Sequence, residues 1–505
     1  MIETTNSGTS RKQILKDSAH YLTSNIVAQV FGLLRSFLLP VLLGPAQLGV
    51  WNLMNVIIGY GANAHLGILH GFNKKVPALR ALGHTREFEE LKDSVFWTNL
   101  LLGLFAGAAL FLASFLVKPI YASASRIIAL VVVLQMLFVF YFSLLRADNR
   151  FDLVSKGTAG LSLFSSILVL LLAYFSTDRL LGALCGLLAA YPFVIIYWYY
   201  KGGYKFTVSL EWAQIKDSFG VGLPLIILGL IDMVLLSLDR WVIAWQLPDT
   251  ALGFYALGLM GSSLLGLIPS SVANVLYPRM LERFACTQDY GAVSSLMLNP
   301  VRAIGVVMIF LITATAIFLP VIIRMLLPRY IPAIPLIEIL VPGTYFLAIA
   351  PIAGSYVVAL NRQQDLIKVQ LFAMSICIML DGILLYMGYG VQGIAYGTVC
   401  CYAIYGLGYL GIAVYLARGK WHETWRFLIH MFTLFGVMVI ALKITNLSWP
   451  DAAHWTDQVF SSVMRLFLVS GVLLPFVWLV NRKSGMLSII WIVFTSWRAA
   501  RSKLL

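Results

Sequence analysis

Long apolar runs without a charged side chain recur along this chain, and they restrict its fold more than any other feature. One of them, LLLGLFAGAALFLASFLV, occupies Leu100–Val117. A run of roughly 18–25 such residues is long enough to cross the hydrocarbon core of a membrane. Inside that core the backbone has no water to bind, so a spanning segment must satisfy its own hydrogen bonds as a helix. The runs therefore predict an all-α protein that crosses a membrane many times.

Fourteen segments meet this description, and we predict a spanning helix in each. Composition agrees, because 60% of the residues are hydrophobic and only 11% are charged. In a typical soluble domain about a quarter of the residues are charged. The predicted spans are 20–43, 47–71, 94–117, 126–145, 157–175, 181–200, 219–243, 250–276, 302–323, 334–360, 368–388, 391–416, 427–445 and 461–480.

Lysine and arginine are unevenly distributed between the two sets of connections. With the N-terminus placed inside, most of the 36 Lys and Arg residues lie in the even-numbered connections and the two tails. Cytoplasmic loops carry such an excess, so we predict a multi-pass membrane protein with both termini in the cytoplasm. The charges are dispersed over short loops, which argues against nucleic-acid binding. The five cysteines show no metal-ligand spacing, and we expect no cofactor and no metal.

A short motif occurs twice. LGPAQLGVWNL at Leu43–Leu53 is echoed by LPDTALGFYAL at Leu247–Leu257 without a gap. Both copies join spans of the same orientation, so they predict a parallel repeat of two six-helix lobes related by an axis along the membrane normal. The predicted regions are a cytoplasmic N-terminal tail 1–19, an N-lobe 20–200, a linker 201–218, a C-lobe 219–416, two extra helices in 417–480 and an interfacial tail 481–505.

Four segments resemble a known family. They are LLGPAQLGVWNL (42–53), SLDRWVIAWQLPDTALGFYALG (237–258), LLPRYIPAIPLIEIL (326–340) and YGVQGIAYGT (389–398). They are similar to the polysaccharide flippase branch of the multidrug/oligosaccharidyl-lipid/polysaccharide exporter superfamily. The resemblance implies two lobes around a central cavity, alternating access, and a lipid-linked oligosaccharide as the substrate that is flipped from the inner to the outer leaflet. It also implies a location in the bacterial inner membrane and a role in export of a surface polysaccharide, with a polysaccharide polymerase among the partners.

Arg35 is the leading candidate for binding the phosphate groups of such a substrate. It lies within the first predicted span, where a charge is costly unless it faces an interior or a partner. Its planar fork can bind phosphate oxygens in pairs. The repeat places Asp239, beside Arg240, at the position equivalent to Arg35, so we predict that these opposite charges face each other across the lobes. The alternatives are that Arg35 snorkels to the outer interface, and that Asp239 and Arg240 are plain interface residues.

Three further basic side chains lie at the end of the second predicted span. In a continuous helix His65 and His70, five residues apart, point about 140° away from each other. We therefore expect at most one of them to face the cavity, and we expect no shared metal. Lys74 would lie at the cytoplasmic mouth, where its charge attracts phosphate. The alternatives are a hydrogen-bonded packing histidine and a lysine that only sets the topology.

Two acidic residues are candidates for coupling transport to a cation. Asp232 lies in the seventh predicted span and Asp381 in the eleventh. A carboxylate within the membrane is costly and often marks a proton or sodium pathway. We predict that these two residues bind H+ or Na+, and the alternative for each is a hydrogen-bonded structural aspartate.

Rival functions are left open by these patterns. A multidrug cation antiporter of the same superfamily would prefer an acidic cavity, whereas this chain places both Arg35 and Asp232 in spans that would line one. A membrane glycan polymerase or ligase would need acid and base groups outside the membrane. Only the predicted outer loop 446–460, with Asp451, His454 and Asp457, offers such groups. A flippase for another lipid-linked cargo, such as a peptidoglycan precursor, is a further alternative.

Overall fold

The computed structural model describes residues 28–448 and 455–484. Within these ranges the chain forms helices, turns and no strand, which confirms the predicted all-α fold. The predicted tail 1–19, nearly all of the tail 481–505, and Asp451 and His454 of the outer loop lie outside the described residues. The helices are α1 Ala28–Leu42, α2 Pro45–Ala62, α3 Ile68–Ala81, α4 Thr85–Ala113, α5 Pro119–Ala147, α6 Phe151–Phe175, α7 Arg179–Gly202, α8 Trp212–Leu235, α9 Leu238–Gln246, α10 Asp249–Thr287, α11 Tyr290–Leu326, α12 Ile334–Ala359, α13 Gln363–Tyr386, α14 Gly390–Arg418, α15 Trp421–Ser448 and α16 Trp455–Ser484.

The described residues of every predicted span are mostly helical, but the helices are not equally suited to cross a membrane. Eleven helices in the described part of the chain are long and apolar enough to do so. They correspond to all the predicted spans except the first, the second and the seventh, so the count of fourteen remains a prediction. The first span is described only from Ala28 onward, and the other two are interrupted.

The second predicted span is not one helix, which corrects the prediction for 47–71. α2 ends at Ala62 and α3 begins at Ile68. Between them Leu66 has a φ of 48° and Gly67 a φ of 93°. A leucine rarely adopts this left-handed conformation, because its Cβ crowds the neighbouring carbonyl. The sequence marks the interruption only by Asn63, which caps the end of α2, and by Gly67. The interruption reorients the chain before His70.

The seventh predicted span, 219–243, is also divided, which is a second correction. α8 ends at Leu235 and α9 begins at Leu238. The hydroxyl of Ser237 donates a hydrogen bond to the carbonyl oxygen of Met233 at 2.7 Å and lies 2.7 Å from the hydroxyl of Tyr60 in α2. The chain folds as two compact units, which we call unit 1 (Met1–Ser237) and unit 2 (Leu238–Leu505). Most of this span therefore packs within unit 1.

Hydrogen bonds hold the segment between α7 and α8 against α4, which explains why α8 belongs to unit 1. The ammonium group of Lys92, which is buried, donates a hydrogen bond to the carbonyl oxygen of Lys205 at 2.6 Å. The indole of Trp97 donates to the carbonyl oxygen of Thr207 at 2.8 Å. Between these two anchors Phe206 packs against the apolar core of unit 1. Side chains of α4 thus satisfy backbone groups of the linker, as buried backbone groups require.

Helices α3 and α8 approach each other so closely that only glycine fits at their contact. A Cβ on Gly71 would lie 2.3 Å from the carbonyl oxygen of Ser218, and a Cβ on Gly222 would lie 1.9 Å from the carbonyl oxygen of Gly67. Both neighbours are backbone atoms, which cannot rotate away. The contact therefore fixes α3, and with it His70 and Lys74, against α8.

We expect Gly71→Ala to lower membrane abundance and thermal stability. Overpacking a well-packed contact typically costs about 1–3 kcal/mol, and a backbone neighbour leaves little room to relax. Fluorescence-detected size exclusion and a melting curve in detergent measure both quantities. Gly220→Ala is the matched control, since Gly220 lies in α8 and a Cβ there meets nothing within 4 Å. Equal abundance and melting temperature of the two variants would contradict the contact.

Candidate functional site

Arg35 lies in α1 against a row of serines on α6. Its Nη1 donates a hydrogen bond to the hydroxyl of Ser165 at 3.1 Å. The hydroxyls of Ser162 and Ser166 donate to the carbonyl oxygens of Ala28 and Phe31 at 2.6 Å and 3.0 Å, which ties α1 to α6. Arg35 is half-buried, and no carboxylate among the described residues of unit 1 forms an ion pair with it. A guanidinium has five N–H donors, so most of its hydrogen-bonding capacity exceeds what Ser165 takes up.

His65 and His70 contact each other, which corrects the expectation that they diverge. Their ring centroids are 5.5 Å apart in an edge-to-face arrangement. His65 is buried, and its Nδ1 accepts a hydrogen bond from the backbone N–H of Gly67 at 3.0 Å, whereas His70 is exposed. The predicted divergence assumed a continuous helix. The interruption between Ala62 and Ile68 invalidates that assumption and brings the rings together.

Lys74 is exposed on α3, four residues after His70 and therefore on the same face of the helix. Its neighbour Lys75 behaves differently, because its ammonium group forms an ion pair with Asp217 at 2.6 Å. This ion pair and its hydrogen bond lower the pKa of the Asp217 carboxyl. Lys75 thus has a partner within unit 1, whereas Lys74 forms no ion pair among the described residues.

Asp239 is buried within unit 2, at the start of α9. Its carboxylate accepts a hydrogen bond from the hydroxyl of Tyr255 at 2.5 Å, and that hydroxyl lies 2.8 Å from the hydroxyl of Thr398. The backbone N–H of Arg240 donates to the same carboxylate at 2.8 Å, and the guanidinium Nε lies 3.8 Å away. The predicted pairing of Asp239 with Arg35 joins residues of different units and remains a prediction.

Asp381 lies in α13 and is only 1% exposed. One carboxylate oxygen accepts a weak hydrogen bond from the thiol of Cys377 at 3.7 Å, while the other has no hydrogen-bond partner among the described residues. Gly397 of α14 lies so close that a Cβ there would be 2.1 Å from that second oxygen. Asp239 lies within electrostatic range of Asp381. Unit 2 therefore contains two buried carboxylates that are close enough to influence each other.

The two aspartates predicted to bind a cation lie in different units. Asp232 is half-buried in α8 and belongs to unit 1, whereas Asp381 belongs to unit 2. The neighbour of Asp381 is instead Asp239, which was predicted to bind substrate. Sequence reasoning did not single out Tyr255 and Thr398 as site residues. Both lie in segments that carry the family resemblance, and this is the only signal that pointed towards them.

Several solved membrane transporters share the fold of the described part of the chain. The lipid II flippase MurJ in an inward closed conformation matches with a TM-score of 0.64 and 15% identity, over 92% of this chain and 99% of that chain. A MATE-family multidrug resistance transporter in an inward-facing conformation matches with a TM-score of 0.62 and 12% identity, over 79% of this chain and 96% of that one. The MATE transporter VcmN of Vibrio cholerae matches with a TM-score of 0.55 and 16% identity, over 81% and 97%.

A match to a family model identifies the family of this chain. The model described as polysaccharide biosynthesis protein matches residues 42–331, more than half of the chain. The protein therefore belongs to the polysaccharide biosynthesis protein family, which confirms the family predicted from the four sequence segments. No individually curated protein matches the chain in sequence.

Proposed function

We propose that the protein flips a polyprenyl-diphosphate-linked oligosaccharide from the inner to the outer leaflet by alternating access. The product would feed export of O-antigen, capsule or exopolysaccharide, with a polysaccharide polymerase as the next partner. The observation that carries this proposal is Arg35, a half-buried arginine in an apolar helix whose only described hydrogen-bond partner is a serine hydroxyl. A serine satisfies one donor, and no described carboxylate of unit 1 acts as a counter-ion for the positive charge. A phosphate group supplies both the charge and the acceptors.

Asp239 and Asp381 support coupling of this transport to H+ or Na+. Arg240 forms an ion pair with Asp239, but Asp381 has no cationic partner among the described residues, and a buried carboxylate is costly to ionise unless a cation lies near it. The hydroxyl oxygens of Tyr255 and Thr398 adjoin Asp239 and add neutral oxygens of the kind that hard cations prefer. The cation would bind within unit 2, while the substrate phosphate would bind at Arg35 in unit 1.

A multidrug cation antiporter is the second candidate, and the same two carboxylates favour it. A cationic drug could pair with buried acidic groups, and two of the structural neighbours above are MATE-family transporters. The half-buried guanidinium of Arg35 opposes this candidate, because it repels a cation. The two functions therefore differ in the sign of the substrate charge.

Transport in proteoliposomes distinguishes the two candidates. The purified protein is reconstituted with a fluorescent polyprenyl diphosphate that carries a short oligosaccharide, and flipping is followed by loss of fluorescence when a membrane-impermeant quencher is added. We expect flipping that depends on the protein and on an imposed H+ or Na+ gradient. Efflux of ethidium is the parallel assay. Efflux of ethidium without flipping of the glycolipid would overturn the proposal and favour the antiporter.

The predicted orientation follows from the excess of Lys and Arg in the even-numbered connections and the two tails. We expect Arg418 to be cytoplasmic and residues 446–460 to face outward. A cysteine-free background with a single cysteine at either place, labelled in intact cells with an impermeant maleimide, measures this. Labelling of Arg418→Cys from outside, or protection of a cysteine in the outer loop, would contradict the orientation.

A further inference from the structure

A basic surface of unit 1 lies at the end where α3 and α5 meet. The two helices pack through apolar side chains, with the rings of Phe72 and Phe140 6.2 Å apart. Their C-terminal ends are joined by an ion pair between Arg80 and Asp148 at 2.8 Å. The helices therefore finish at the same end of the unit. Arg146, in the last turn of α5, is within electrostatic range of the His70 ring on α3.

His70, Lys74 and Arg146 share two properties, and we call them the α3–α5 basic cluster. All three side chains are exposed. None forms an ion pair with a carboxylate among the described residues, although neighbouring cations do. Lys75 pairs with Asp217 and Arg80 with Asp148, so acidic side chains at this end are already engaged. The cluster is a local excess of positive charge held on two helices that are fixed against each other.

We propose that the α3–α5 basic cluster captures the diphosphate of the lipid-linked substrate before it reaches Arg35. This inference rests on the proposed function and adds Arg146 to the residues that act on the substrate. According to this inference the substrate binds first at the α3–α5 basic cluster and afterwards at Arg35. The cluster combines the first half of α3 with the last turn of α5, whereas Arg35 lies in the middle of α1 against α6.

The chemistry of the three side chains fits a diphosphate better than a phospholipid headgroup. A guanidinium can hold two oxygens of one phosphoryl group in its fork, and an ammonium can bind the second group as a point charge. His70 adds a ring N–H donor beside them. A phosphodiester headgroup carries a single negative charge and would engage only part of this set. Being exposed, the cluster can bind a ligand that arrives along the membrane surface.

Binding of farnesyl diphosphate to the purified full-length protein in detergent tests this inference. Isothermal titration is run on the wild type and on Arg35→Ala, so that binding at the cluster is read without Arg35. In the Arg35→Ala background we expect Arg146→Gln and Lys74→Gln each to weaken the affinity about tenfold, and Arg146→Lys to weaken it less. Arg86→Gln is the control, because Arg86 lies at the same end of unit 1 but is paired with Glu90 at 2.9 Å. It should leave the affinity unchanged.

Three results would overturn the inference. The first is unchanged affinity in both Arg146→Gln and Lys74→Gln. The second is an equal loss in Arg86→Gln, which would mean that only net charge matters. The third is displacement of farnesyl diphosphate by an equal concentration of phosphatidylglycerol, which would identify a general anionic-lipid site. Because Lys74 is exposed and forms no ion pair among the described residues, Lys74→Gln keeps the test valid if the Arg146 variants misfold. The flipping assay on wild-type protein decides the proposed function separately.

Discussion

We expect Arg35→Ala to abolish export of the surface glycan while the protein remains inserted and abundant. A lipid-facing charge near the middle of a spanning helix costs roughly 2.5–3.5 kcal/mol on insertion scales, whereas a charge that faces a hydrated cleft should cost much less, so its removal should not destabilise the fold much. The packing of α1 on α6 uses the backbone carbonyls of Ala28 and Phe31, which the substitution leaves intact. The expected loss is therefore in substrate binding. Immunoblotting of membranes and gel analysis of the surface glycan measure the two effects.

A graded series at the same position separates charge from geometry. Arg35→Lys keeps the charge and loses the fork, so we expect partial export. Arg35→Glu reverses the charge and should be at least as defective as Arg35→Ala. Ser165→Ala removes only the described hydroxyl partner and should leave export close to wild type, because a substrate phosphate would replace that hydroxyl during transport.

Arg126 provides the matched control for this series. Its Nε donates to the hydroxyl of Ser114 at 3.3 Å, so it is also an arginine that binds a serine in unit 1. It lies in the first turns of α5, at the end of that helix away from the α3–α5 basic cluster. We expect Arg126→Ala to export normally. Wild-type glycan in Arg35→Ala would show that the arginine only snorkels, whereas equal defects at Arg35 and Arg126 would show a general effect of removing arginine.

The length of the apolar runs was the basis of most of the correct sequence predictions. Uncharged runs such as Leu100–Val117 have few alternatives to helix in a membrane, and the family resemblance identified the superfamily. The interruption at Leu66 was not predictable, because a leucine with positive φ violates the local preference that sequence reasoning relies on. That one residue changed the relation of His65 to His70 from divergence to contact.

The site in unit 2 formed by Asp239, Asp381, Tyr255 and Thr398 was partly predictable from the sequence, for a different reason. Asp239 and Asp381 are conspicuous as acidic residues in apolar spans, and each was singled out separately. Their proximity depends on how α9 and α13 pack, and no spacing along the chain reports this. Tyr255 was harder to predict as a site residue, since a tyrosine in an apolar span is usually a packing residue. Its hydroxyl acquires a role only because the fold places Asp239 and Thr398 beside it.

The second large effect is expected at Asp381. If Asp381 and Asp239 hold a cation, Asp381→Asn should lower gradient-driven flipping in proteoliposomes at least tenfold and should leave binding of farnesyl diphosphate unchanged. The variant should also lose the stabilisation that the bound ion gives to the wild type. A ligand at 100 times its Kd stabilises the folded protein by about 2.7 kcal/mol, which is visible as a shift of the melting temperature.

The melting temperature of Asp381→Asn without added ion distinguishes a role in ion coupling from a structural role. Replacing one of two neighbouring buried carboxylates removes like-charge repulsion and the cost of burying charge, so Asp381→Asn should melt at the same temperature as the wild type or higher. A structural aspartate would instead lose stability. Asp365→Asn is the control, because Asp365 lies in the same helix but is paired with Arg362 at 2.8 Å. It should keep both ion-dependent flipping and the ion-dependent melting shift. An Asp381→Asn protein that melts lower than the wild type and still flips with an ion gradient would refute the coupling role and leave Asp381 as a packing residue of α13 and α14.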